Sequence, residues 1–126
     1  MAQLLLVDDD PEIRELLGYA LRGSGYDVVT AEDGLFALAR LSADPPDLML
    51  LDLDMPGLTG EAFVAACRRT PRWANVPVLL LSGREDVASV AATLGAAGYL
   101  QKPYRVNEVR QMIRALTHQL PRAQES

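Results

Sequence analysis

One cysteine, one histidine, one tryptophan and a single lysine in 126 residues are scarcities that each narrow what this chain can be. Cys67 has no partner for an internal disulfide and lies in a helical stretch, so it reads as a small packed filler rather than a reactive thiol. His118 reads as a solvated side chain near a helix end. A basic stripe is missing too. The net charge is -5 with acidic residues spread along the chain, which argues against direct nucleic-acid binding. No apolar run approaches the ~18 residues of a membrane span, and no signal-peptide pattern precedes Leu4. The expectation is a cytoplasmic chain without a membrane segment. Its length suits one domain, residues 1–120, followed by a short polar tail or truncated linker over 121–126.

What the chain does have is alternation. Strand-like apolar runs at Leu4–Val7, Tyr26–Thr30, Leu48–Asp52, Val76–Ser82 and Tyr99–Gln101 alternate with helix-like stretches at Pro11–Arg22, Gly34–Ser42, Gly60–Arg69, Glu85–Leu94 and Val106–Gln119. Five βα units predict an α/β sandwich of three layers with a parallel sheet covered on both faces. Right-handed crossovers allow the flavodoxin-like strand order 2-1-3-4-5. Asp10 followed by Pro11 is a helix start, and Gly23 and Gly25 are its stop. Asp33 and Thr59 are expected to cap the second and third helices. In the last helix Val106, Val109, Ile113, Leu116 and Leu120 form one apolar stripe, with Arg110, Arg114 and His118 off it.

Three of the apolar runs stop on charge: Leu4–Val7 on Asp8 and Asp9, Leu48–Leu51 on Asp52, and Tyr99–Gln101 on Lys102. In an open parallel sheet the ligand crevice lies beyond the carboxyl ends of the strands, at the point where strand order reverses, here between the first and third strands. Asp8, Asp9 and Asp52 then share a pocket. Carboxylates held together repel unless a cation intervenes, and a set of hard oxygens with room for water suits Mg²⁺.

Four segments in order carry a resemblance: Val7-Asp8-Asp9-Asp10-Pro11, Leu50-Leu51-Asp52-Leu53-Asp54-Met55-Pro56-Gly57, Leu80-Leu81-Ser82-Gly83 and Gly98-Tyr99-Leu100-Gln101-Lys102-Pro103-Tyr104. Together they resemble the receiver domain of two-component response regulators over nearly the whole chain. The resemblance implies a phosphoprotein of a phosphorelay, not an enzyme in its own right but a phosphoacceptor that assists its own phosphorylation and dephosphorylation. Asp52 would take a phosphoryl group from a histidine kinase or a histidine phosphotransfer protein. Asp9 would bind Mg²⁺ directly, Asp8 through water, Asp52 through a carboxylate oxygen and Asp54 through its backbone carbonyl. Lys102 would pair with a phosphate oxygen, and the Lys102–Pro103 peptide would be cis. Ser82 and Tyr99 would form the switch, with the loop after the fourth strand drawn inward and the fourth helix, fifth strand and fifth helix as the readout face. The implied partners are the kinase and a downstream protein or a removed output domain, with the chain a monomer or a phosphorylation-linked dimer.

Departures from the pattern shape further expectations. The stretch from Ser82 to Lys102 is slightly shorter than in many receivers. Arg105 and Val106 stand where a capping Ser or Thr is common, leaving Asn107 as the candidate cap of the last helix. Asp54 and Arg84, two residues beyond Asp52 and Ser82, flank the path of water to the acceptor and are expected to pair as water-access modulators. A rival reading takes Asp52-Leu53-Asp54 as the motif of a haloacid-dehalogenase-like phosphatase with Asp54 as acid/base, and another a receiver-like interaction module that works without phosphate. The first is disfavoured because the motif ends the third strand rather than the first, the second because every acceptor-site residue is present. Trp73 is expected as edge packing, and Arg68, Arg69 and Arg72 as a solvated basic face.

Overall fold

The computed structural model describes residues 2–118. Five strands, β1 (Gln3–Val7), β2 (Asp27–Ala31), β3 (Leu48–Asp52), β4 (Val78–Ser82) and β5 (Gly98–Gln101), alternate with α1 (Pro11–Gly23), α2 (Gly34–Ala39), α3 (Gly60–Arg68), α4 (Val87–Leu94) and α5 (Val106–His118). The sheet is parallel throughout, in the order β2-β1-β3-β4-β5, as the alternation requires.

Because side chains alternate across a strand, each central strand serves two cores at once. Leu5, Val7, Met49, Leu51, Val78 and Leu80 face Phe63, Val64 and Cys67 of α3, Ala37 of α2, and Val87 and Ala91 of α4. Leu4, Leu6, Leu48, Leu50, Leu79 and Leu81 face Leu17 and Leu21 of α1 and Val109 and Ile113 of α5. The predicted stripe of α5 is therefore its buried face; residues 119 onward, including Leu120 and the tail, lie outside the described residues, as does the His118 side chain.

The caps follow the residue chemistry. Asp10 accepts from the Glu12 and Ile13 amides, Asp33 from Phe36, and Thr59 from Ala62. Asn107 does not cap α5; its side chain accepts from Arg110, while Glu108 reaches back to the Arg105 amide at 2.8 Å, the acidic half of a capping box. Two helices are shorter than their sequence patterns. α2 tightens into a 3-10 turn over Arg40–Ser42. α4 starts at Val87 rather than Glu85, and Asp86 before it gives no side-chain cap because both its oxygens are held by Arg84. Gly60 opens α3 under a close approach: a Cβ there would sit 2.7 Å from Leu53 Cδ2 and 3.1 Å from its Cα.

Two expectations for the α3–β4 connection need correction. Trp73 is core, 1% exposed, with its indole N–H donating to the Ala43 carbonyl; an indole whose single donor finds a backbone acceptor can be buried whole. Arg68 is no free surface cation, since its guanidinium donates to the Ala74 and Val76 carbonyls. Arg72 pairs with Asp44 on the surface. Cys67 is buried, and burial pushes its thiol up to about 11.

Trp73→Ala is expected to lower stability by about 3–5 kcal/mol in urea unfolding, as removal of a buried large aromatic does. Cys67 is expected to resist alkylation near neutral pH until the chain unfolds, because only the thiolate is nucleophilic; rapid labelling of the native protein would contradict the packing.

Candidate functional site

The register of the sheet assembles the site. Val7 pairs with Leu51 and Asp52 with Leu81, so the residues that follow β1 and β3 lie on neighbouring rows at one edge. Ser82 pairs with Gln101. Beyond the strands the ladder continues, with Leu53 donating to the Leu81 carbonyl and Lys102 to the Ser82 carbonyl. Asp54, Gly83 and Lys102 thus project from the same edge as Asp8 and Asp52.

The acidic residues converge as the sequence suggested. Carboxylate oxygens of Asp8, Asp9 and Asp52 lie within 4.8 Å of one another, Asp8 and Asp52 buried and Asp9 exposed. One oxygen of Asp8 accepts from the Asp10 amide at 2.9 Å. The other is buried with no hydrogen-bond partner. A buried anionic oxygen without a donor is costly unless a cation meets it. That orphaned oxygen, with two further carboxylates beside it, fits a divalent hard cation such as Mg²⁺.

Lys102 supplies positive charge beside Asp52. Its Nζ lies 3.1 Å from Asp52 Oδ2 and 3.9 Å from Asp54 Oδ2. Burial by itself would lower the ammonium's pKa, but the hydrogen bond to Asp52 and the charges of Asp52, Asp8 and Asp54 leave it raised. The peptide joining Lys102 to Pro103 is cis. Asp8 is pushed up to about 6, chiefly by burial, with the Asp10 amide opposing and the Asp52 charge reinforcing. Tyr104, given no role by the sequence, lies near enough for its phenol, with a buried hydroxyl lacking a partner, to sense this charge. Burial foremost, then Asp8, Asp52 and Asp10, push it up to about 12.

Ser82 is buried, and its hydroxyl already faces inward, donating to Asp54 Oδ1 at 3.0 Å and accepting from the Arg84 amide at 3.0 Å. Tyr99 is 43% exposed on β5. The expected Asp54–Arg84 ion pair does not form. Asp54 instead bonds Ser82, Gly83 and approaches Lys102, while the Arg84 guanidinium takes Glu61 Oε2 at 2.9 Å and both oxygens of Asp86 at 3.0 Å. Glu61 and Asp86 are closer carboxylates, and the Asp54 oxygens already have donors. Glu61 had no role in the sequence reading; an acidic residue in the first turn of a helix ordinarily signals only the helix dipole.

Comparisons with known proteins agree with this geometry. The profile of the response regulator receiver domain family matches residues 4–114, and the chain belongs to that family. It is 37% identical over 115 residues to the DNA-binding response regulator MtrA of Mycolicibacterium smegmatis, covering 90% of this chain and 49% of the relative. It is also 37% identical over 128 residues to the DNA-binding dual master transcriptional regulator RpaA of a Synechocystis species, covering 98% of this chain and 53% of the relative. The chain spans about half the length of these relatives. Among solved structures, the chemotaxis protein CheY4 of Vibrio cholerae superposes with a TM-score of 0.84 at 33% identity, covering 92% of this chain and 98% of that one. TrrA of Thermotoga maritima, solved in complex with Mg²⁺ and BeF, gives 0.80 at 32% identity, covering 92% and 99%. Neither alternative reading of the sequence is favoured by these likenesses. Among the described residues no helix is long and apolar enough to cross a membrane.

The Asp8 carboxyl is favourable to folding only while protonated. Its folded value, about 6, lies above its ordinary 3.8, so its contribution is full below the ordinary value and is lost as pH rises through about 6. Near neutral pH and in a chelator, Asp8→Asn is therefore expected to be more stable than the parent by roughly 1 kcal/mol or more, since the amide keeps an acceptor for Asp10 and removes the buried charge. The difference in urea midpoint should shrink as pH falls below about 6; a variant less stable at neutral pH would contradict the assignment.

Proposed function

We propose that Asp52 is the phosphoacceptor of this receiver domain, taking a phosphoryl group from a histidine kinase or a histidine phosphotransfer protein. The observation that carries the reading is the pairing of a buried Asp52 carboxylate with Lys102 at 3.1 Å, at the rim of the Asp8–Asp9–Asp52 cluster. One Asp52 oxygen accepts the Asp54 amide at 2.9 Å; the other faces Lys102 and is the nucleophile. In the transfer that oxygen bonds phosphorus, the bond from phosphorus to the imidazole nitrogen of the donor breaks, and the released imidazole takes a proton from solvent.

Asp8, Asp9 and Asp52 would hold Mg²⁺, with the Asp54 backbone carbonyl as a further oxygen. The ion supplies charge neutralisation for the phosphoryl oxygens, the dominant requirement of such a transfer. Lys102 acts from the other side as a compact cation that can follow a phosphoryl oxygen without losing its hydrogen-bonding capacity. Because these groups belong to the acceptor chain, it assists both its own phosphorylation and the later attack of water.

The output is a change in protein contacts. Ser82, Tyr99 and the surface of α4, β5 and α5 are the switch, communicating occupancy of Asp52 to a downstream partner or output domain. The half-length match to DNA-binding regulators supports placement within a larger regulator of that kind. Asp54 and Arg84 remain candidates for control of water access, now acting through separate contacts.

Incubation with acetyl phosphate and Mg²⁺ is expected to label the parent with one phosphoryl group, detected as a mass shift, and EDTA is expected to prevent it. Asp52→Asn should remain folded by circular dichroism and take no label. Label persisting in that variant would place the acceptor elsewhere, and multiple turnover of a small phosphate ester would favour the phosphatase reading.

A further inference from the structure

Both oxygens of the Asp54 carboxylate are spent on donors that surround Asp52. Its Oδ1 accepts from the Ser82 hydroxyl at 3.0 Å, its Oδ2 accepts from the Gly83 amide at 2.9 Å, and the same Oδ2 lies 3.9 Å from Lys102 Nζ. Lys102 meanwhile reaches Asp52 at 3.1 Å. A hydroxyl, an amide N–H and an ammonium aimed at one small region form a donor set suited to the oxygens of any tetrahedral or planar anion. Here the anion is built into the chain.

We propose that the Asp54 carboxylate is an internal competitor of the phosphoryl group, holding before modification the donors that a phosphoryl group on Asp52 needs. The proposal rests on Asp52 being the acceptor and adds a role for the residue two positions beyond it. The Ser82 hydroxyl has one proton and the Gly83 amide one hydrogen, so neither can serve both anions at full strength. A phosphoryl group also brings close to two negative charges. Asp54 must then give up its partners and turn to solvent, which its one-third exposed side chain permits. Ser82 accordingly changes partner rather than swinging in from outside, because its hydroxyl is inward and buried already. The competition sets how readily the site accepts and keeps a phosphoryl group, independently of the metal-binding backbone carbonyl, which substitution of the side chain preserves.

The test is the affinity for beryllofluoride, a phosphoryl stand-in, measured by calorimetry at saturating Mg²⁺ on the parent, Asp54→Ala, Ser82→Ala and the double variant. Asp54→Ala is expected to bind about three- to tenfold tighter, the scale of a freed charge-assisted hydrogen bond after its re-pairing. The gain should shrink in the Ser82→Ala background, since the two side chains share one hydrogen bond. In metal-free protein the Gly83 amide should exchange with solvent faster in Asp54→Ala than in the parent, a readout independent of any bound anion. Equal or weaker binding by a folded Asp54→Ala overturns the competition, as does an unchanged Gly83 exchange rate. If the parent binds no more beryllofluoride than Asp52→Asn does, the acceptor reading itself fails and this role falls with it.

Discussion

Two carboxylates buried side by side at the ends of neighbouring strands are tolerable only if positive charge reaches both, and that need organises one edge of this sheet. Asp8 and Asp52 are brought together by the β1–β3 register, not by local sequence. Lys102 meets Asp52 from the end of β5, and the second oxygen of Asp8 is left without a hydrogen-bond donor, a place that a cation would satisfy. The rest of the fold serves this arrangement. The apolar strands are covered by helices on both faces, and among the described residues the two buried acidic side chains, Asp8 and Asp52, sit at the strand ends. There the low-polarity core behind them strengthens every electrostatic contact.

The fold was legible because its signals are redundant. The three central strands are built on apolar runs buried almost throughout, apolar and helical stretches alternate, and the alternation leaves few topologies once handed crossovers are required. The acidic cluster was legible for a related reason: charges at strand ends share an edge whatever the details of packing. The lysine stood out because it is the sole one among twelve basic residues.

What the sequence did not disclose depends on competition between side chains. Asp54 and Arg84 are opposite charges at matching offsets, yet each has better partners, because the fold aims Ser82 and Gly83 at Asp54 and brings Glu61 and Asp86 nearer Arg84. Asp86 directly precedes α4 without capping it, because Arg84 holds both its oxygens. Trp73 reads as edge packing because loop residues are ordinarily exposed, yet the Ala43 carbonyl offers its indole N–H a partner inside the core. The start of α5 uses the Glu108 side chain, a signal present in the sequence three residues past Arg105 but masked by the absence of a hydroxyl before it.

Arg84 joins three parts of the molecule through one residue. Its backbone amide bonds Ser82, one terminal nitrogen bonds Glu61 in the first turn of α3, and its remaining edge grips Asp86 just before α4. The planar guanidinium spans both carboxylates only because its nitrogens are spread along two edges; a point-like ammonium at this position would have to choose between them. The loop behind β4 is consequently yoked to two helices at once, and any shift at Ser82 has two mechanical exits, one toward α3 and one toward α4.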